Sequence, residues 1–144
     1  MHRYRTTTLL LTAFALHSLI LVGQLRAQSY DDQAKSILAL FDAGKADTAY
    51  ALIEPLKRSA RFVPAILYAR AHMTPDDRAL PLYKEAIALE PGGPWADRAC
   101  FALVLRYVEK GDSSASATWL GVLSNGYPRS SYIQRATEIV DAQH

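Results

Sequence analysis

The residue types able to do chemistry are few in this chain, and their spacing decides what they can do. Two adjacent carboxylate pairs, Asp31-Asp32 and Asp76-Asp77, have the composition of an acid/base couple. Both stand where a helix is expected to begin, so compensation of the positive end of a helix dipole accounts for them without catalysis. His72 has no second histidine at metal-ligand spacing, and His144 is the terminal residue. The only Cys, Cys100, lies in the apolar stretch ACFALVL, where it reads as a small core residue with no partner for an internal disulfide. Gly92-Gly93 is flanked by Pro91 and Pro94, as a linker is, and no Gly-rich phosphate loop occurs. Lys57, Arg58 and Arg61 form a basic cluster that could meet an acidic partner or lipid headgroups, and that a solvated helix C-terminus also explains. The expectation is therefore no enzyme, no catalytic set, no metal and no cofactor.

These residues belong to two unequal parts of a 144-residue chain. Arg3 and Arg5 precede the uncharged run Leu9 to Val22, and Gly23 to Ala27 follows it. This is the layout of a secretory signal with cleavage expected after Ala27. At 14 residues the run is short for a spanning helix, which needs about 20. An uncleaved N-terminal anchor is the alternative. With no Cys near the cut, lipoprotein attachment is excluded, and a periplasmic or secreted location is expected. The segment 1–27 carries three basic residues and no acidic one. The chain from Gln28 therefore keeps 13 of the 16 Lys+Arg against 14 Asp+Glu, a net charge of −1 in place of +2. That near-neutral balance gives no electrostatic case for nucleic acid.

From Gln28 onward the apolar period is helical. Ala34, Ile37, Leu38 and Phe41, and again Cys100, Leu103, Val104 and Tyr107, fall at i, i+3, i+4 and i+7. Helices are expected over 30–43, 46–59, 63–73, 75–90, 95–110, 113–125 and 130–142, an all-α fold. Thr74 is expected to cap the fourth, with Pro75 at its first position, and Ser130 or Ser131 to cap the last. Pro55 and Pro81 fall inside expected helices and should kink or shorten them, ending the second near Ile53 or Glu54. Three segments align without gaps: Ala49-x3-Ile53-x2-Leu56, Ala79-x3-Tyr83-x2-Ala86 and Ser116-x3-Leu120-x2-Leu123. In each, a small residue permits close helix approach and bulkier ones fill the gap.

With these motifs, with LYKEAIALEP (Leu82 to Pro91) and with the stretch Lys110-Gly111-Asp112 to Tyr127-Pro128-Arg129-Ser130, residues 30–141 resemble the tetratricopeptide repeat family. The repeats of exported bacterial envelope proteins, of the Tol-Pal coordinator and outer-membrane assembly lipoprotein type, are the most similar. The resemblance implies a right-handed α-solenoid of about three helix hairpins (units 30–61, 62–94 and 95–129) closed by a capping helix at 130–142, whose inward stripe is Ile133, Ala136, Ile139 and Val140. It implies a protein or peptide partner in the cell envelope, bound on the concave face of the first helices. Leu38, Arg70, Arg98, Phe101 and Leu105 are the candidate contacts. Self-association through an exposed end of the array, or hydrolysis of cell-wall polymer, are the rival functions.

Overall fold

The computed structural model describes residues 29–143, and the expected signal segment lies outside them. The described residues form eight helices and no strand. The first, α1, runs over 29–42, followed by α2 (Ala46–Ile53), α3 (Leu56–Ser59), α4 (Pro64–His72), α5 (Ala79–Leu89), α6 (Ala96–Glu109), α7 (Ser113–Gly126) and α8 (Ile133–Asp141). None is long and apolar enough to cross a membrane.

The turns follow from a few residues. After α1 the chain reverses at Gly44 (φ +77°), whose N–H bonds the Phe41 carbonyl while Lys45 N–H reaches Leu40. After α6 the same pattern recurs at Gly111 (φ +70°), with bonds to Val108 and from Asp112 to Tyr107. Both are Schellman turns, in which a left-handed residue satisfies the last free carbonyls of a helix. Asp112 then starts α7, its carboxylate accepting from Ala115 N–H at 2.9 Å. The α4–α5 turn is built differently. Thr74 does not cap the next helix, which starts five residues later, and its hydroxyl donates back to the Arg70 carbonyl at 2.8 Å at the end of α4. The helix expected from Pro75 begins only at Ala79, which puts Pro81 in its first turn, where no backbone N–H is needed. Pro55 divides the expected 46–59 helix into α2 and the single turn α3. The last helix starts at Ile133 instead of Ser130. The Ser130 hydroxyl donates to Asp97 at 2.8 Å and accepts weakly from Tyr132 N–H, a link across the molecule in place of a helix cap.

Consecutive helices pack in order, α4 on α5, α5 on α6, α6 on α7 and α7 on α8, with further contacts of α4 with α6 and of α6 with α8. The core is a row of three clusters. The first joins α1, α2 and α4 through Ala34, Ile37, Ala49, Ile53, Ile66 and Ala69, and Trp95 closes it. The second joins α4, α5 and α6 around Tyr83 and Leu103. The third joins α6, α7 and α8 through Cys100, Val104, Leu123, Ala136 and Val140. All three aligned small residues, Ala49, Ala79 and Ser116, are fully buried. Ser116 is the only buried polar residue among those described, and its hydroxyl donates to Gln143 Oε1 at 2.9 Å. The stripe expected on α8 faces the core, with Ala136 and Val140 buried and Ile133 and Ile139 packed at the margin.

Two long-range hydrogen bonds tie the turns together. Trp95 Nε1–H donates to Asp31 Oδ1 at 2.9 Å, linking α1 to the start of α6. The Tyr127 hydroxyl donates to the Pro91 carbonyl at 2.7 Å, so the turn at Tyr127-Pro128 meets the turn at Pro91.

Candidate functional site

The surface between α4, α6 and the start of α8 is a groove of about 310 Å³ walled by aromatic rings. Its residues come from regular positions. Tyr68 and His72 lie four apart on α4, and Phe101 and Leu105 lie four apart on α6, so each pair occupies one helix face. Tyr132, from the turn that enters α8, stacks on Phe101 with centroids 5.0 Å apart and 15° between planes. Tyr68 is fixed by three other rings, the indole of Trp95 at 5.3 Å, Tyr83 at 5.5 Å and the His72 imidazole at 6.1 Å. Burial pushes the Tyr68 hydroxyl up to about 12, and that of Tyr83 also moves upward, so both remain protonated donors at neutral pH.

Charged groups frame the rings. Arg106 spans to the α4–α5 turn, donating to the Thr74 carbonyl at 2.8 Å and lying 3.5 Å from Glu109. His72 Nε2 lies 2.9 Å from Asp42 Oδ1 and so joins α4 to α1. The Arg98 guanidinium sits 5.3 Å from the Trp95 ring centre, and that of Arg135 sits 5.8 Å from Phe101. Neither Arg98 nor Arg135 forms an ion pair among the described residues. The groove itself offers ring edges, phenolic hydroxyls and one cation beside one carboxylate, Arg106 and Glu109, with Arg98 and Arg135 outside it.

Of the five residues singled out from the sequence, the structure brings Phe101 and Leu105 together in this groove. Arg98 lies beside them, lining an adjoining open hollow with Asp97, Tyr127 and Tyr132. Leu38 is half-buried against the first core cluster. Arg70, two residues from both Tyr68 and His72, is on the opposite side of α4 and faces α2, α3 and α5. Sequence reasoning did not pick out Tyr68, His72, Arg106 and Tyr132 as groove residues. The signal for the first two was present: Tyr68 and His72, like Phe101 and Leu105, lie four residues apart in an expected helix and so share one of its faces.

The residues considered for chemistry have other engagements. Asp31 accepts from Trp95, Asp32 is 3.9 Å from Lys35, Asp76 pairs with Arg78 at 2.7 Å, and Asp77 accepts from Lys110 at 2.6 Å. The Asp76 carboxylate thus accepts from both the side chain and the backbone N–H of Arg78, and the Asp77 carboxylate from Lys110, just ahead of the start of α5. Cys100 is buried, and burial pushes its thiol up to about 11. Lys57 and Arg58 occupy the last turn of α3. Among the described residues no group of three or more His, Cys, Asp or Glu is placed to hold a metal ion.

The described chain is thus an all-helical protein with an aromatic surface groove. No protein-family model, no curated protein and no solved structure matches it.

Proposed function

We propose that the protein is a non-enzymatic adaptor of the bacterial cell envelope, built as a short tetratricopeptide-like array and exported by its N-terminal segment. Its partner is a protein or peptide that binds the groove of Tyr68, Phe101, Leu105 and Tyr132. The observation that carries this reading is the groove itself, in which the half-buried rings of Tyr68 and Tyr132 and the half-buried Leu105 border a concave surface floored by buried Phe101 and Tyr83 and held rigid by ring packing. Large rigid side chains lose little entropy on binding, which is why such surfaces anchor partners. Support for a repeat array comes from the contacts of α4 with α6 and of α6 with α8, in which alternate helices are neighbours, and from the three buried small residues. The basic start and the uncharged run Leu9 to Val22 support export.

A photo-crosslinking residue placed at Leu105 or Glu109 of the full chain should give a discrete adduct with an envelope protein in cells. The same residue at exposed Val122 on α7 should not. Adducts of equal yield at all three positions, or none at Leu105 and Glu109, overturn the reading.

One further observation favours self-association. The outer side of α1 and α2 carries an open hollow of about 610 Å³ lined by Ile37, Leu52 and Leu56 and by the polar Ser29, Asp32, Gln33 and Ser36, with Leu52 47% exposed. A surface of this kind, with an exposed leucine ringed by polar groups, can pair with a second copy. Light scattering that stays at the monomer mass across a wide concentration range removes this reading.

A further inference from the structure

The groove leaves unused a second concavity, on the other side of α4. Between α2, α3, the α4–α5 turn and the start of α5 lies a cavity of about 360 Å³. Its apolar part is supplied by Ile53, Met73, Pro75 and Leu82, and three cations, Lys57, Arg70 and Arg78, converge on it. Two of these already have carboxylates: Lys57 pairs with Glu54 at 2.5 Å, and Arg78 with Asp76 at 2.7 Å. Arg70 is different. It is half-buried, and its guanidinium has neither a hydrogen bond nor an ion pair among the described residues. The two hydroxyls nearby are committed as donors to backbone, Tyr50 to the Met73 carbonyl at 2.9 Å and Thr74 to the Arg70 carbonyl at 2.8 Å. The cavity lining therefore carries three cations and no carboxylate, and of the three Arg70 alone has no partner among the described residues.

A guanidinium presents a planar fork of N–H donors that matches the two oxygens of a carboxylate or phosphate. An anion reaching Arg70 brings along whatever carries it, and the carrier lies against Ile53, Met73 and Leu82. We propose that this cavity is a binding site for a small amphiphilic oxyanion, a carboxylate or phosphate borne on an apolar group of about the size of a leucine side chain, with Arg70 as the residue that grips the charge. The site is separate from the aromatic groove and does not depend on the adaptor reading.

The test is titration of the full chain, followed by NMR on the backbone amides and the arginine Nε–H signals. The probes are N-acetyl-leucinate, its uncharged amide, acetate and hexyl phosphate. N-acetyl-leucinate is expected to shift Arg70 Nε–H and the amides of Met73 and Thr74 saturably. The amide should leave them in place, and acetate should bind at least about 10-fold more weakly for want of the apolar contact. A stronger response to hexyl phosphate than to N-acetyl-leucinate assigns the site to phosphate carriers, and the reverse assigns it to carboxylates. Arg70→Gln should weaken binding about 10-fold or more, the effect of removing a charge-assisted hydrogen bond, while Arg70→Lys recovers part of it. Should Arg70→Gln lose helicity by circular dichroism, sodium chloride titration of the unaltered chain serves instead, since binding through one cation must fall as salt rises. Equal shifts from the amide, shifts spread over exposed Arg58, Arg129 and Arg135, affinity unchanged in Arg70→Gln or by salt, or no saturable shift at tens of millimolar probe would each overturn the proposal.

Discussion

Trp95 is the residue whose replacement should report most directly on how the row of core clusters is held together. It is 3% exposed, closes the first cluster, supports Tyr68 in the groove, and donates through Nε1 to Asp31, which lies 64 residues earlier in the chain. Trp95→Phe keeps an aromatic ring in the site but removes this donor and part of the buried area. A hydrogen bond to a carboxylate contributes about 1.5 kcal/mol, near the low end of its range here because Asp31 is only half-buried and water replaces part of what is lost. The smaller ring and the space it leaves cost about 1 kcal/mol more. The expected destabilisation is therefore about 2–3 kcal/mol, or roughly 8–15 °C in Tm for a domain of this size. Asp31→Ala alone should cost about 1.5 kcal/mol, and the double variant should fall short of the sum by about 1 kcal/mol, because both changes remove the same bond. Urea unfolding followed by circular dichroism at 222 nm measures all three. A loss under about 0.5 kcal/mol for Trp95→Phe, or additivity within that margin, would refute the claim that this bond ties α1 to the start of α6.

Other expectations are narrower. Gly44→Ala and Gly111→Ala should each destabilise by about 1 kcal/mol, since both sites require positive φ while a Cβ would meet nothing within 4 Å, and thermal melts would show the effect. Asp76 is held at about 2 by its hydrogen bonds to Arg78. Its depressed value means that any stabilisation is complete above the ordinary carboxylate range near 4 and is lost as pH falls toward 2. A carboxyl NMR titration should give that low midpoint, returning toward 4 in Arg78→Gln. The Cys100 thiol, raised to about 11 and buried, should resist a thiol-reactive disulfide reagent at pH 8 in the folded chain and react promptly in urea. Comparable rates in both states would mean that the third cluster opens readily.

What could be read in the sequence divides along the range of the interaction involved. Helix periodicity is set by neighbours three and four residues apart, so all the expected helices appear, together with the break at Pro55. The errors at Thr74 and Ser130 share one cause. In each case the helix starts later than its hydroxyl residue, at Ala79 or Ile133, and the hydroxyl proton goes to the Arg70 carbonyl or the Asp97 carboxylate. Capping rules describe what a serine or threonine does in the absence of a better partner, and only the assembled fold shows whether a better partner exists. The same holds for Asp31 and Asp77, whose side chains are taken by Trp95 and Lys110.

The groove was half legible for a related reason. Phe101 and Leu105 could be placed on a helix face from their own spacing, but a face becomes a groove only through its neighbours. Arg70 makes the contrast clear, for it sits on the same helix as Tyr68 and His72 yet turns to the opposite cavity, a separation that 100° per residue dictates once the buried side of α4 is known. Here the buried side is set by Ala65, Ile66, Leu67, Ala69 and Ala71, a run so rich in small apolar residues that periodicity alone cannot choose the inward direction. It is chosen by the aromatics, because Tyr68 has rings to meet on one side, in Tyr83 and Trp95, whereas Arg70 must keep its charge near water. The consequence is a helix with two useful faces, one aromatic and one cationic, so that replacing Tyr68 should alter the groove without touching the Arg70 cavity.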